Sequence, residues 1–303
     1  MTPQNKARLV AAIGFAALLA HGTPSFAAVP PAATPAPFAQ PSRFSVELVG
    51  SGPDVILVPG LSSPRAVWRA TADRLKATHR VHLVQLRGFG EPAGANASGP
   101  VLQPFVDELA AYAARFGHPA IVGHSLGGLA ALMVAEQHPD LPGRIVVVDA
   151  LPFIGPLFGI DDVATAKARA AQIKATITAA TARPDFAAPL DCKPGPAPAA
   201  PSAMSNSAEG QCLIAYGQRV SDPAVVGEAM IDDLTTDARP ALATIRAPLT
   251  LIYPGGTPAD PLYVGQYAPR KTATLVPIAD TRHFVMQDQP EAFAKALDAA
   301  LAR

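Results

Sequence analysis

Six short, nearly continuous apolar runs alternate with helical stretches along this chain, and that alternation decides its fold class. The runs occupy 54–59 (DVILVP), 79–86, 118–122, 144–148 (RIVVV), 248–253 (PLTLIY) and 273–278. Val, Ile and Leu in unbroken runs of this length suit strands buried on both faces, as in a parallel sheet. Helical patterning falls between them, at 65–77, 102–116, 126–137 and 290–301. In the last of these, Phe293, Leu297 and Leu301 recur every fourth residue and make one apolar stripe. Strand and helix in alternation predict an α/β fold, a mostly parallel, doubly wound sheet. From 151 to about 240 the alternation stops. That section holds helical pieces at 161–182, 211–220 and 222–234, and a Pro-rich loop at 187–201. It reads as a helical cap inserted into the sheet domain, with the loop as part of a roof.

The two ends of the chain read differently. Lys6 and Arg8 precede an apolar run of 12 residues, Leu9 to Ala20, and Ser25-Phe26-Ala27 fits a small-x-small cleavage site. This is the pattern of a secretory signal, 1–27, and the run is too short to span a bilayer, which takes about 20 residues. No later run approaches that length, so no stable membrane span is expected once the signal is cut. The protein is expected to be exported, to the periplasm or beyond the cell. Residues 28–42 are Ala/Pro-rich and suit an extended tether; the folded domain is expected over 43–303. Export makes Cys192 and Cys212, the two cysteines of the chain, an expected disulfide. The charge balance, 24 Lys+Arg against 24 Asp+Glu, argues against a basic face for nucleic acid. No HExxH, CxxC, GxGxxG or GxxxxGK[ST] pattern is present, so neither a metal nor a cofactor is expected.

The chemistry concentrates at residues 121–128, IVGHSLGG, where an apolar run meets a helical stretch. GxSxG in that context is a sharp strand-to-helix turn that lifts the Ser125 hydroxyl above the sheet, with glycines where side chains would collide. Such a serine sits at a helix N-terminus, where amide N–H groups favour developing negative charge. A serine hydroxyl needs a base. Of the seven histidines, His21 leaves with the signal and His124 flanks Ser125 inside the motif. His79, His82 and His118 lie at strand edges, and His138 ends a helix before Pro139. His283 remains, between the last strand and the last helix, in a loop at the carboxyl edge that Ser125 also occupies.

Taken in order, VPGLSSP (58–64), LRGFGEP (86–92), GHSLGG (123–128), VVVDALPF (146–153) and RHFVMQDQPEAF (282–293) resemble the α/β-hydrolase superfamily, in its serine esterase/lipase-like branch with a helical cap. The resemblance implies a Ser, acid, His order along the chain, which Ser125 and His283 respect. It implies an oxyanion hole of two backbone N–H groups, assigned to Leu61 and Leu126; where relatives write His-Gly, this chain has Pro59-Gly60. It leaves the acid open. The slot after 250–253 that holds the acid in most relatives falls on Gly256, with Asp260 four residues on, whereas Asp149 ends the preceding strand. Asp149 is favoured over Asp260. Leu151, Phe153, Ile154, Leu157 and Phe158, just past Asp149, are the expected pocket walls. The activity implied is hydrolysis of a small-molecule carboxylic ester through an acyl-enzyme. The alternatives are a non-catalytic ligand-binding protein on the same fold, and a C–C hydrolase or perhydrolase with the same triad.

Overall fold

The structure, a computed structural model, describes residues 40–180, 183–193, 195, 202 and 204–302. The signal at 1–27, most of the tether at 28–42 and much of the Pro-rich loop lie outside the described residues.

Seven strands form one sheet among the described residues, in the order β1-β3-β2-β4-β5-β6-β7. They are β1 (Phe44–Gly50), β2 (Asp54–Val58), β3 (Arg80–Leu86), β4 (Ala120–His124), β5 (Arg144–Val148), β6 (Leu249–Pro254) and β7 (Thr274–Ile278). All neighbours run parallel except β1, which pairs antiparallel with β3 at the edge. The six continuous runs became β2 to β7. β1 carries no continuous apolar run, because an edge strand buries only part of its surface. Its apolar residues alternate, Phe44 is buried, and Leu48 is 56% exposed.

Helices cover both faces. The sheet domain carries α1 (Arg69–Leu75), α2 (Leu102–Ala113) and α3 (Leu126–Gln137); the insertion carries α4 (Val163–Ala180), α5 (Ala208–Arg219) and α6 (Pro223–Thr235). After β6 come α7 (Asp260–Tyr267), α8 (Val285–Asp288) and α9 (Pro290–Ala302). On one face α2 and α3 pack against Ile56, Ile121 and Leu251; on the other, Trp68 and the α9 stripe pack against Leu57, Val122 and Ile252. Every residue of α3 from Leu126 to Ala135 is buried, as expected for a helix apolar on all sides. It runs straight from Ser125 and makes a rigid base for that residue.

The cap adds a small core of its own. Phe153, Ile160, Ala166 and Leu234 form its core between α4 and α6, and Lys174 pairs with Glu228 across the two helices. Asp232 of α6 reaches down to the sheet domain, where its carboxylate accepts from the Val101 and Leu102 amides at the start of α2. The LRGFG turn also holds the cap: Gly90 N–H donates to Val220 and Asp222 N–H to Gly88.

Cys192 and Cys212 are bonded, tying the Pro-rich loop to α5. Their sequence separation of 20 corresponds to about 3 kcal/mol of loop-closure entropy. Replacing both by Ser is expected to lower Tm by several degrees, since each kcal/mol is worth about 2–4 °C in a domain of this size. Ser125 should keep its reactivity, because the bridge lies in the cap. Equal Tm values for the oxidised, reduced and Ser/Ser proteins would contradict this.

Candidate active site

Ser125 joins β4 to α3 with φ +54 and ψ −124, a conformation that L-residues rarely adopt. The surrounding glycines make it possible. A Cβ on Gly123 would lie 2.1 Å from the Gly127 carbonyl oxygen, and one on Gly127 would lie 2.5 Å from that of Val58. The first and last residues of GxSxG therefore touch each other, and the second also touches the end of β2. The loop after β2 is equally close: a Cβ on Gly60 would lie 2.8 Å from Ser125 Cβ. This pressure of backbone on backbone holds the strained turn.

His283 follows β7 in the loop before α8. Its Nδ1 is 2.7 Å from Asp149 Oδ2. Asp149 ends β5 with φ +44, is buried, and donates its own N–H to the Ile252 carbonyl at 2.8 Å. Its other oxygen accepts from the Tyr263 hydroxyl on α7. Burial, and then the Asp149 charge, push the Tyr263 hydroxyl far above its ordinary pKa, so it stays a donor. Each Asp149 oxygen thus has one partner, which fixes the carboxylate and the imidazole ring facing it. Asp260 is placed elsewhere. It opens α7 and accepts from the Thr257 and Gly256 amides, which hold its pKa low, and from the Thr257 hydroxyl.

Sequence reasoning missed Tyr263. Tyr263→Phe is expected to lower kcat about tenfold with little change in KM, since a hydrogen bond to a charged group is worth about 1.5–3 kcal/mol and 1.4 kcal/mol is tenfold. A kcat within twofold of wild type would remove Tyr263 from the positioning chain.

The His283 loop is held from three further directions. Phe284 N–H donates to the Met204 carbonyl of the cap at 3.0 Å. Asp288 accepts from the Arg282 amide on one oxygen and from Ser205 and the Asn206 and Ser207 amides on the other. His124, fully buried, lies 2.9 Å from the His283 carbonyl through Nε2. A carbonyl only accepts, so Nε2 carries the proton. Burial, reinforced by His283, holds the His124 pKa well below its ordinary value, and His124 is a neutral prop for the loop.

The N–H groups of Leu61 and Leu126 donate to no acceptor among the described residues. Leu61 follows Gly60, and Leu126 opens α3. The site therefore has two free amides beside Ser125, one in the loop after β2 and one at the start of α3, as an oxyanion hole requires.

Ser125, Asp149, Tyr263 and His283 line one cavity of about 40 Å³. No hydrogen bond joins Ser125 to His283 among the described contacts, a common state before substrate tightens a site. Of the expected walls, Leu151, Ile154 and Leu157 line the cavity. Phe153 and Phe158 do not. Phe153 is buried in the cap core, with its backbone clamped by Gln266 and its ring 4.5 Å beneath the Arg239 guanidinium. Phe158 is 49% exposed at the end of a 3₁₀ turn. The turn at 155–158 sends successive side chains in different directions, so five neighbours in sequence cannot all face one pocket.

Asp233 on α6 also lines the cavity, unforeseen from sequence. It is 4% exposed, and its carboxyl has no hydrogen-bond partner among the described residues. Burial pushes its pKa up to about 7, with His283 pulling down and Asp232 pushing up. A larger groove of about 400 Å³ lies between β7 and α9, lined mainly by Ala, Val and Pro. Its polar lining is Thr250, Thr274 and Lys295, with no His, Asp or Glu to activate a hydroxyl, so the smaller cavity is the candidate site. No group of His, Cys, Asp and Glu suited to a metal occurs among the described residues, and no helix there is long and apolar enough to cross a membrane.

Comparison with known proteins agrees with the fold. The model of the Alpha/beta hydrolase family matches residues 55–296. The pimeloyl-[acyl-carrier protein] methyl ester esterase of Vibrio atlanticus is 40% identical over 103 residues, covering 34% of this chain and only 38% of that enzyme. Among solved structures, a thermophilic esterase from Thermogutta terrifontis superposes with a TM-score of 0.64 at 20% identity, over 86% of this chain and 93% of that one. The enol-lactonase from Burkholderia xenovorans gives 0.61 at 18%, over 86% and 96%. At such identities the structural likeness is one of fold.

Proposed function

The chain belongs to the alpha/beta hydrolase family, and from that premise we propose that it is an exported serine esterase, cleaving small-molecule carboxylic esters through an acyl-enzyme. One observation carries the reading: buried Asp149 is hydrogen-bonded to a partly exposed His283, and the two share a cavity with a serine on a strained strand-to-helix turn. Ser125 Oγ attacks the ester carbonyl carbon while His283 Nε2 takes its proton. The oxyanion accepts from the Leu61 and Leu126 amides. Asp149, held by Tyr263, keeps the His283 proton on Nδ1 and stabilises the imidazolium. The intermediate collapses as His283 returns a proton to the leaving alcohol, and water repeats the sequence to release the acid. The matched stretch of the Vibrio esterase supports ester chemistry. Export rests on the pattern at 1–27 and suits the Cys192–Cys212 bridge, since disulfides persist in oxidising compartments.

p-Nitrophenyl esters of graded chain length test the reading. Turnover with a burst of one nitrophenol per enzyme is the expected result. No turnover of any ester by protein that remains folded would overturn it.

A further inference from the structure

We propose that Asp233 is a specificity group of this site, selecting esters that carry a hydrogen-bond donor, a hydroxyl or an ammonium, close to the scissile carbonyl. The inference rests on the esterase reading and names its substrate class.

Asp233 is a carboxyl in a place where a carboxyl is costly. It is 96% covered, accepts no hydrogen bond from any described residue, and meets Leu129, Leu151 and Ile154 around the cavity. Native proteins rarely leave so covered a polar group without a protein partner, and the carboxyl oxygens keep a little exposure where Asp233 lines the cavity. Its neighbour Asp232 shows what a structural carboxylate looks like on the same helix: the Val101 and Leu102 amides at the start of α2 both donate to its Oδ2. Successive residues on a helix point about 100° apart, so one Asp pins the cap and the next is left at the catalytic cavity.

The chemistry of the missing partner follows from the acceptor. The titratable groups around the cavity are Asp149, His283 and Tyr263, with Asp232 behind on the same helix. The Asp149 oxygens are already engaged, and the Tyr263 hydroxyl donates to Asp149. None of these satisfies Asp233. A carboxyl keeps a free acceptor oxygen whether or not it is protonated, so a substrate O–H or N–H is recognised in both states. An ammonium adds charge and would draw Asp233 into its ionised form. A substrate carboxylate would be repelled by Asp233 whenever Asp233 is ionised. The small volume, room for a few water molecules, places the donor within a few atoms of the carbonyl that Ser125 attacks. A site built to bond such a group discriminates strongly against the analogue lacking it, because its own polar atom is then left unpaired.

The test uses near-isosteric esters: methyl 3-hydroxypropanoate and methyl 3-aminopropanoate against methyl butanoate, and 2-hydroxyethyl and 2-aminoethyl acetate against propyl acetate. The readout is the ratio of kcat/KM for each donor-bearing ester to that of its apolar partner. Wild type should favour the donor-bearing members of at least one series, and Asp233→Leu should lower that ratio about 10- to 100-fold, the loss of one hydrogen bond to a charged group. Asp233→Asn, which keeps an acceptor oxygen, should retain more of the hydroxyl preference than of the ammonium preference. Asp233→Leu should also raise Tm, more at pH 8 than at pH 5. The raised folded-state pKa means that stability is lost as pH rises from the unfolded carboxyl value toward about 7; Leu removes that loss. Ratios unchanged in both variants, whatever the overall rate, would overturn the proposal while leaving the esterase reading intact. A wild type that hydrolyses neither series and takes no organophosphonate would overturn the esterase reading itself.

Discussion

Ser125→Ala is expected to fold and to hydrolyse esters about 10⁶-fold more slowly in kcat, the cost of removing a triad nucleophile. Folding should survive because the Ser125 hydroxyl bonds no described residue, while the backbone around it is held by N–H donation to Val148 and by the packed glycines. The strained φ belongs to the turn and is no worse for Ala than for Ser. Tm close to wild type with residual hydrolysis at background is the expected pair of measurements. A variant retaining more than about a hundredth of wild-type kcat would mean that another group attacks the ester.

The second large effect separates two carboxylates that the sequence left in competition. Asp149→Asn should lower kcat about 10⁴-fold, because an amide in place of Oδ2 can stabilise the wrong imidazole tautomer and cannot support the imidazolium. Asp260→Asn should leave kcat within severalfold, since Asp260 serves the turn at Gly256 and Thr257 and costs mainly stability there. Steady-state kinetics of both variants on one p-nitrophenyl ester decide the matter. A crippled Asp260→Asn with a mild Asp149→Asn would reverse the assignment. Two mild variants would point to a Ser–His dyad with weak support.

How far each of these residues could be read from sequence follows from the range of the interaction that places it. Ser125 is set by contacts between residues four apart, Gly123 against Gly127, so five letters carry the geometry. His283 needed only the rule that loops after parallel strands gather at one edge. The acid stayed open because β5 and β6 are neighbours whose ends both reach that edge, and which carboxylate meets the imidazole depends on a φ of +44 at Asp149 and on the turn that engages Asp260. Tyr263 was beyond reach. It meets Asp149 across 114 positions of chain, from a short helix with no apolar periodicity to mark it. The pocket walls were half legible for a related reason. Proximity to Asp149 identified the right segment, but the facing of Phe153 and Phe158 is settled by the cap core and the 3₁₀ turn. Asp233 gave no local signal because Asp-Asp on an amphipathic helix looks like a solvated face; only the packing of α6 between α2 and the cavity separates its two carboxylates.

The most direct measurement is the site of covalent labelling. The protein, incubated with an organophosphonate and digested, is mapped by mass spectrometry. The account predicts one adduct per chain, on Ser125, forming in step with loss of ester hydrolysis and absent from Ser125→Ala. An adduct on another residue, or hydrolysis that persists in fully labelled Ser125, would contradict it.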